Sequence, residues 1–135
     1  MNETAHPPQA TVFFCHGSRD PQWREPFERL AAAYRSRVPQ QEVRLAFLEL
    51  MTPGLVDVLA ALADDNIDCV RVVPLFLAPG AHTRRDLPAL VAEARRRCPR
   101  LEVEVMPALL ETDALQTAVV AALLLISPTD HNLGS

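Results

Sequence analysis

Short apolar runs alternate with longer stretches of helical periodicity along this chain of 135 residues. The apolar runs lie at residues 11–15, 43–48, 69–75 and 101–106. The first and third runs are short, nearly continuous and rich in β-branched or aromatic residues, which is typical of buried parallel strands. Apolar residues recur at helical spacing over residues 21–38, 53–64, 84–97 and 113–126. This alternation predicts an α/β domain with a parallel sheet and right-handed crossovers.

Prolines and capping residues mark the predicted helix ends. Pro21 opens the first helix and Pro39 ends it. Thr52 is predicted to cap the second helix, with Pro53 at its first position. The Pro-Gly pair at 79–80 predicts a turn before the third helix.

Length and composition suit a single folded domain, expected over 11–126 between polar tails at 1–10 and 127–135. The apolar stretch 114–126 is too short to span a bilayer, so no membrane association is expected. The first ten residues lack the apolar core of a secretory signal. The three cysteines form no C-x-x-C pair, which fits a reducing compartment. We therefore expect a cytoplasmic protein.

Composition also excludes several classes of protein. All 13 basic residues are arginines, which rules out a lysine Schiff base and a Walker lysine. The four glycines cannot form a G-x-G-x-x-G loop, so a Rossmann dinucleotide site is not expected. The net charge of −4 argues against a nucleic-acid partner.

Two histidines follow predicted strands at matching points. His16 directly follows the first strand, and His82 follows the third. Both are expected in loops at the carboxyl edge of the sheet, where open α/β sheets bind ligands. A strand order of 2-1-3-4, assumed by analogy, would bring these two strand ends together at the point where the winding reverses. Because imidazole binds metals and transfers protons, the pattern indicates a site for a metal ion, a proton or both.

The loop after the first strand combines several polar side chains with a glycine. Gly17 would let the backbone approach a ligand closely. Ser18 or Asp20 is expected to cap the following helix, whose amino end favours anions. Arg19 and Arg24 add positive charge there. An equally weighted alternative is a structural loop whose histidine is merely solvated.

The loop after the third strand places Thr83, Arg84, Arg85 and Asp86 next to His82. Asp86 lies four residues beyond His82 and could accept a hydrogen bond that orients the imidazole. It could equally be a first-turn carboxylate that faces the helix dipole. Both interpretations stay open from the sequence.

Glu49 closes the second strand, where a carboxylate suits an ion pair or a third metal ligand. A serine-hydrolase interpretation of Ser18 is poor because the G-x-S-x-G elbow is absent. His6 and His131 lie in the polar ends of the chain, and no role is expected for either.

At these residues the chain resembles the short form of the class II chelatases, the sirohydrochlorin cobaltochelatase family called CbiX. The resembling segments are HGSRDPQWREPFERL (16–30), LAFLEL (45–50) and VVPLFLAPGAHTRRDLP (72–88). The resemblance implies a three-layer, flavodoxin-like or chelatase-like fold with a four-stranded parallel sheet of order 2-1-3-4 and helices on both faces. It also implies ATP-independent insertion of cobalt, nickel or ferrous iron into a sirohydrochlorin-type tetrapyrrole by a homodimer.

The resemblance assigns metal and proton handling to His16 and His82, with Glu49 as a further metal ligand. Hydroxyl and guanidinium groups are expected to bind the substrate: Ser18, Arg19, Arg24, Thr83, Arg84 and Arg85. Guanidiniums suit this role because they pair bidentately with carboxylates at the edge of the ring. No cofactor is expected beyond the substrate metal ion.

Two departures and two alternatives accompany this interpretation. Ala81 and Leu110 stand where relatives often carry glycine. A non-enzymatic carrier of metal or tetrapyrrole would use the same two histidines. A weaker alternative is a phosphate-ester enzyme built on the His16 loop, for which the chain shows no second signature. All three ions accept imidazole ligands, so the sequence does not select among them.

Overall fold

The computed structural model describes residues 7–130. Four strands form one parallel sheet in the order β2-β1-β3-β4, which confirms the predicted order. The strands are β1 (Ala10–Cys15), β2 (Glu42–Phe47), β3 (Cys69–Pro74) and β4 (Glu102–Val105). The winding direction reverses between β1 and β3, which places a crevice at their carboxyl ends.

Three helices cover the two faces of the sheet, as predicted: α1 (Arg24–Arg37) lies on one face, and α2 (Leu55–Asp64) and α3 (Ala81–Arg97) lie on the other. A fourth helix, α4 (Asp113–Leu125), is exposed at every residue and packs mainly against the turn that precedes it. Successive strand residues point to opposite faces, so β1 supplies two cores. Phe13 and Cys15 pack with α1, whereas Val12 and Phe14 pack with α2 and α3. The cores fix the register in which the strand ends meet.

The predicted cap of the second helix at Thr52 is wrong, because α2 begins at Leu55 with Gly54 as its N-cap. The backbone N–H of Phe47 donates to the carbonyl of Pro53 at 2.9 Å, and Gly54 forms an isolated bridge with Phe47. The chain is therefore still paired with the end of β2 at these residues, and the helix begins only after them.

The third helix begins at Ala81, three residues earlier than predicted, so the expectation of a loop position for His82 is wrong. His82 lies in the first turn of α3. The Thr83 hydroxyl accepts a hydrogen bond from the Gly80 N–H at 2.9 Å and donates to the Gly80 carbonyl at 3.0 Å. The N–H of Arg84 donates to the same carbonyl at 3.1 Å. These bonds close the helix on Gly80.

The junction before α4 is a short 3-10 turn, Leu109–Glu111, held against the chain that follows β3. The N–H of Leu109 donates to the carbonyl of Phe76 at 3.0 Å, and the N–H of Leu110 donates to that of Leu77 at 2.9 Å. Leu110 is thus accommodated at this junction. Over residues 7–130, no helix is long and apolar enough to cross a membrane.

Candidate functional site

His16 lies at the carboxyl end of β1 and is held from three sides while its side chain stays 49% exposed. Its Nδ1 is 3.3 Å from Oε1 of Glu49. Its ring packs against Phe76, with ring centroids 4.5 Å apart. Its backbone carbonyl accepts a hydrogen bond from the indole N–H of Trp23 at 2.7 Å. These contacts position the imidazole without burying it.

Glu49 determines which tautomer of the neutral His16 imidazole is favoured. An ionised carboxylate can only accept, so the bond to Nδ1 places the proton of a neutral His16 on that atom. The other ring nitrogen, Nε2, then keeps the lone pair that binds a metal ion. Both side chains are about half exposed, so the pair contributes only about 0–1 kcal/mol to stability. Its effect is on orientation.

Gly17 lets the loops after β1 and β2 touch backbone to backbone. A Cβ at Gly17 would overlap the carbonyl oxygen of Glu49 and lie 3.2 Å from the backbone nitrogen of Met51. From the sequence we expected Gly17 to leave space for a ligand beside the backbone, but the backbone of Glu49 occupies that space. Leu50, at φ 64°, lies in a tight turn in which the N–H of Met51 donates to the backbone carbonyl of Glu49 at 2.8 Å. Positive φ is uncommon for a bulky residue, and such residues cluster at functional sites.

His82 is more open than His16, with 86% of its side chain exposed. Its Nδ1 lies 4.0 Å from Oδ2 of Asp86, one helical turn further along α3. This distance allows an ion pair when the imidazole is protonated but exceeds hydrogen-bond length. Asp86 is therefore next to His82, as the spacing predicted, but no hydrogen bond from Asp86 orients the His82 imidazole.

The predicted metal ligands are only partly brought together. The structure pairs His16 with Glu49 and leaves His82 beside Asp86. Within residues 7–130, no group of three or more histidine, cysteine or acidic side chains could hold a metal ion. Burial raises the pKa of Cys15 to about 12, so this thiol is not a thiolate ligand at neutral pH.

Three of the predicted substrate-binding residues are free to meet a solute: Arg19, Arg84 and Arg85 are exposed. Arg24 is engaged within the fold. Its guanidinium donates to the carbonyl of Thr52 at 2.6 Å and lies 4.7 Å from the centre of the Phe47 ring. It therefore ties the start of α1 to the loop after β2.

Ser18 and Thr83 also make local bonds. The Ser18 hydroxyl accepts from the N–H of Asp20 at 3.1 Å, and Thr83 is buried on Gly80. Asp20 caps a 3-10 turn, Pro21–Trp23, by accepting from the N–H of Gln22 at 2.9 Å. The two hydroxyls shape their loops in this structure.

Sequence reasoning missed Trp23 and Phe76 as neighbours of His16. The helical periodicity over residues 21–38 includes Trp23 in the first helix, but Trp23 lies in the 3-10 turn before α1 and is 41% exposed. Phe76 is buried just beyond the end of β3. The one available signal was that an indole N–H beside a histidine loop needs an acceptor.

Comparison with known proteins identifies relatives for this chain. The CbiX family matches residues 10–124. A sirohydrochlorin cobaltochelatase of Methanopyrus kandleri is 35% identical over 82 residues, which cover 61% of this chain and 57% of the relative. A sirohydrochlorin ferrochelatase of Priestia megaterium is 32% identical over 98 residues, which cover 70% of this chain and 35% of the relative. The match thus spans little more than half of the first relative and about a third of the second.

Solved structures share the fold. A CbiX protein from Marinobacter aquaeolei VT8 superposes with a TM-score of 0.75 at 26% identity, covering 87% of this chain and 95% of that one. The sirohydrochlorin chelatase SirB from Bacillus subtilis subspecies spizizenii, in complex with cobalt, gives 0.66 at 27% identity, covering 74% of this chain and 43% of that one. Because the family match covers most of the sequence and the fold agrees with it, this chain belongs to the CbiX family.

Proposed function

We propose that this protein inserts a divalent metal ion into a sirohydrochlorin-type tetrapyrrole without ATP. The observation that carries the proposal is the His16–Glu49 pair at the carboxyl edge of the sheet. Relatives named sirohydrochlorin cobaltochelatase and sirohydrochlorin ferrochelatase support the substrate class. The ion is cobalt, nickel or ferrous iron, all of which accept imidazole ligands.

The proposed reaction replaces two pyrrole N–H protons with one dication. His16, protonated on Nδ1 toward Glu49, meets the incoming ion through Nε2. Once the ion has passed to the ring, Nε2 accepts one released proton, and the Glu49 carboxylate stabilises the imidazolium that forms. His82 accepts the second proton from its exposed position in the first turn of α3.

The ring is held through its peripheral carboxylates. Arg19, Arg84 and Arg85 are the exposed guanidiniums near the two histidines in sequence, and they supply this contact. Ser18, Arg24 and Thr83 act indirectly, since their polar groups already hold the loops that carry the site.

The protein is proposed to act as a cytoplasmic homodimer. The matched part of this chain, 74% of it, covers 43% of SirB, which supports a second copy as the source of the other lobe around a large ring. The free thiols of Cys15, Cys69 and Cys98 are compatible with a reducing compartment.

A carrier that binds the ion or the ring without turnover is the second candidate. It is favoured by the incomplete ligand set, because His82 does not join His16 and Glu49 in residues 7–130. The carrier and the chelatase use the same residues and differ in turnover.

A metal-insertion assay separates them. Sirohydrochlorin is mixed with Co²⁺, Ni²⁺ or Fe²⁺ and a small molar fraction of the protein, without ATP, and the absorbance of the metallated ring is followed. Many rings metallated per chain, at a rate proportional to protein, support the chelatase. Stoichiometric binding without turnover supports the carrier, and neither turnover nor binding contradicts both.

A further inference from the structure

Exposed apolar side chains collect at the edge of the sheet where His16 lies. Between residues 7 and 112, five large apolar side chains are exposed: Trp23, Leu30, Leu50, Leu77 and Val105. Trp23, Leu50 and Leu77 lie in the connections that leave the carboxyl ends of β1, β2 and β3. Single exposed leucines are ordinary on a protein surface, whereas apolar residues gathered at one place mark a binding surface.

Each of these three side chains is tied to His16 or follows a residue that touches it. The indole N–H of Trp23 donates to the His16 carbonyl at 2.7 Å. Leu50 directly follows the glutamate whose carboxylate lies 3.3 Å from Nδ1 of His16. Leu77 directly follows Phe76, whose ring packs against the His16 ring. Three separate connections therefore bring apolar side chains to the surroundings of one half-exposed imidazole.

The backbone at Leu50 indicates that a side chain is needed there. Leu50 has φ 64°, in the left-handed region that glycine and asparagine enter at lower cost than leucine. Its side chain nevertheless gains little from the fold, because Leu50 is 59% exposed. Residues held in such conformations cluster at ligand-binding sites. An exposed leucine in this conformation is accounted for by contact with an apolar ligand.

Trp23 offers an aromatic surface whose polar atom is already satisfied. Its indole N–H is used by the His16 carbonyl, and its ring packs against Phe27 with ring centroids 5.5 Å apart. The rest of the indole is open to solvent. An aromatic face of this kind stacks on a flat conjugated ligand.

The charges near this apolar surface fit one class of ligand. Arg19 follows β1 two residues before the 3-10 turn of Trp23, and Arg84 and Arg85 lie in the first turns of α3; all three are exposed. A ligand with an apolar face and an anionic rim would meet both kinds of group at once. A sirohydrochlorin-type tetrapyrrole has this form, because carboxylates surround a flat macrocycle.

We propose that Trp23, Leu50 and Leu77 form an apolar platform on which one face of the tetrapyrrole rests, with the ring centre over His16. The inference rests on the proposed function for the identity of the ring, and it adds the residues that recognise its face. The platform sets the approach of the ring centre to Nε2 of His16, whereas the arginines hold the rim.

Titration of the full-length protein with metal-free sirohydrochlorin tests the two leucines. Trp23 is the chain's one tryptophan, so its emission reports ring binding. Leu50→Asn and Leu77→Asn should each raise the dissociation constant of the ring by about 5-fold or more, because each removes apolar contact without adding charge. Asparagine suits the positive φ of Leu50, so the loop should keep its conformation. Leu30→Asn is the matched control, because Leu30 is a 44% exposed leucine on α1, and it should bind as the parent does.

Salt separates the platform from the arginines. Raising the salt concentration screens the guanidinium contacts and should weaken ring binding by the parent chain. The ratio of dissociation constants between each leucine variant and the parent should stay constant, because apolar contact is not screened. Calorimetric titration with Co²⁺ alone should give the parent affinity in both leucine variants, and circular dichroism checks that each is folded.

Substitution of Trp23 tests the aromatic part of the platform. Ring binding by these variants is followed through the visible absorbance of the ring itself. Trp23→Ala should lose affinity for the ring as the leucine variants do, and Trp23→Phe should restore most of it, because a smaller aromatic face remains. Equal loss in the two variants would show that the indole acts only through its bond to His16.

Three results would overturn the platform: parent-like ring binding by both leucine variants, an equal loss of binding in Leu30→Asn, and sedimentation of the parent chain with phosphatidylglycerol vesicles that Leu50→Asn abolishes. Leucine-dependent ring binding by a chain that inserts no metal would leave the platform standing and contradict the proposed function. Metal insertion with an unchanged KM for the ring in both leucine variants would do the reverse. A parent chain that binds no ring would contradict both.

Discussion

Gly17 and Glu49 meet backbone to backbone, with no space for a side chain at the glycine. The contact joins the loop after β1, which begins at His16, to the loop after β2. This backbone contact fixes the two loops relative to each other and so holds Nδ1 of His16 and Oε1 of Glu49 at 3.3 Å.

Gly17→Ala should disconnect the pair. The added methyl group has to push the Glu49 loop away, which costs about 1–3 kcal/mol as overpacking does elsewhere. We expect metal insertion to fall at least 10-fold. Gly80→Ala is the control, because a Cβ there meets nothing within 4 Å, and its activity should stay near that of the parent. Equal activity in the two variants would refute the positioning role of Gly17.

Glu49→Gln should weaken metal binding while keeping the shape of the site. The amide can donate to Nδ1, which shifts the imidazole proton to Nε2 and removes the lone pair offered to the ion. Loss of a partner that orients a metal-binding histidine typically lowers metal affinity by about 10- to 100-fold, and we expect a loss of that size for Co²⁺. Calorimetric titration with Co²⁺ measures it. Glu104→Gln, which loses an exposed pair with Arg71, should bind Co²⁺ unchanged.

Arg84→Glu/Arg85→Glu should weaken tetrapyrrole binding and leave Co²⁺ binding unchanged, since the guanidiniums meet carboxylates and the imidazoles meet the ion. One exposed pair contributes about 0.2–1 kcal/mol, so single changes give modest effects and the double change a larger one. Raising the salt concentration should weaken binding by the parent chain in the same direction. Arg29→Glu/Arg37→Glu on α1 is the matched control. If both double variants bind the ring equally well, the arginine contact is wrong.

Stability should fall as pH rises from about 9 toward about 12. Burial raises the pKa of Cys15 from 9.0 to about 12, so in this interval the unfolded chain loses a proton that the folded chain retains. The free energy of unfolding then decreases with pH, by up to about 1.4 kcal/mol per pH unit. Denaturant unfolding at several pH values should show a shallower decline in Cys15→Ala than in Cys98→Ala. Identical slopes would mean that the Cys15 thiol is not protected.

The sequence predicted what depends on periodicity. The four strands and the positions of His16 and Glu49 just beyond strand ends agree with the structure because burial imposes those patterns. The strand order, which the structure confirms, came from analogy with known folds and not from periodicity. It could not locate the start of α3, which depends on two hydrogen bonds between Thr83 and Gly80.

Contacts between distant segments were also beyond the sequence. The bond from Trp23 to the His16 carbonyl exists only because a 3-10 turn brings the indole back over the loop. The sequence also could not show that α4 is exposed, because an apolar pattern indicates that a helix needs a partner and not where that partner lies.

His82→Ala is expected to fold normally, because the side chain is exposed and the core does not depend on it. It should lose most metal insertion, because the proposed reaction assigns the second released proton to this imidazole. Circular dichroism should match the parent chain, and the insertion rate should drop at least 10-fold. An active variant would restrict the proton-accepting role to His16.

The most direct test is the initial rate of Co²⁺ insertion into sirohydrochlorin by His16→Ala. The account predicts a loss on the order of 10²-fold or more, because one side chain both meets the ion and accepts a proton. The variant should remain folded, as its half-exposed side chain lies outside both cores. A rate near that of the parent chain would contradict the account.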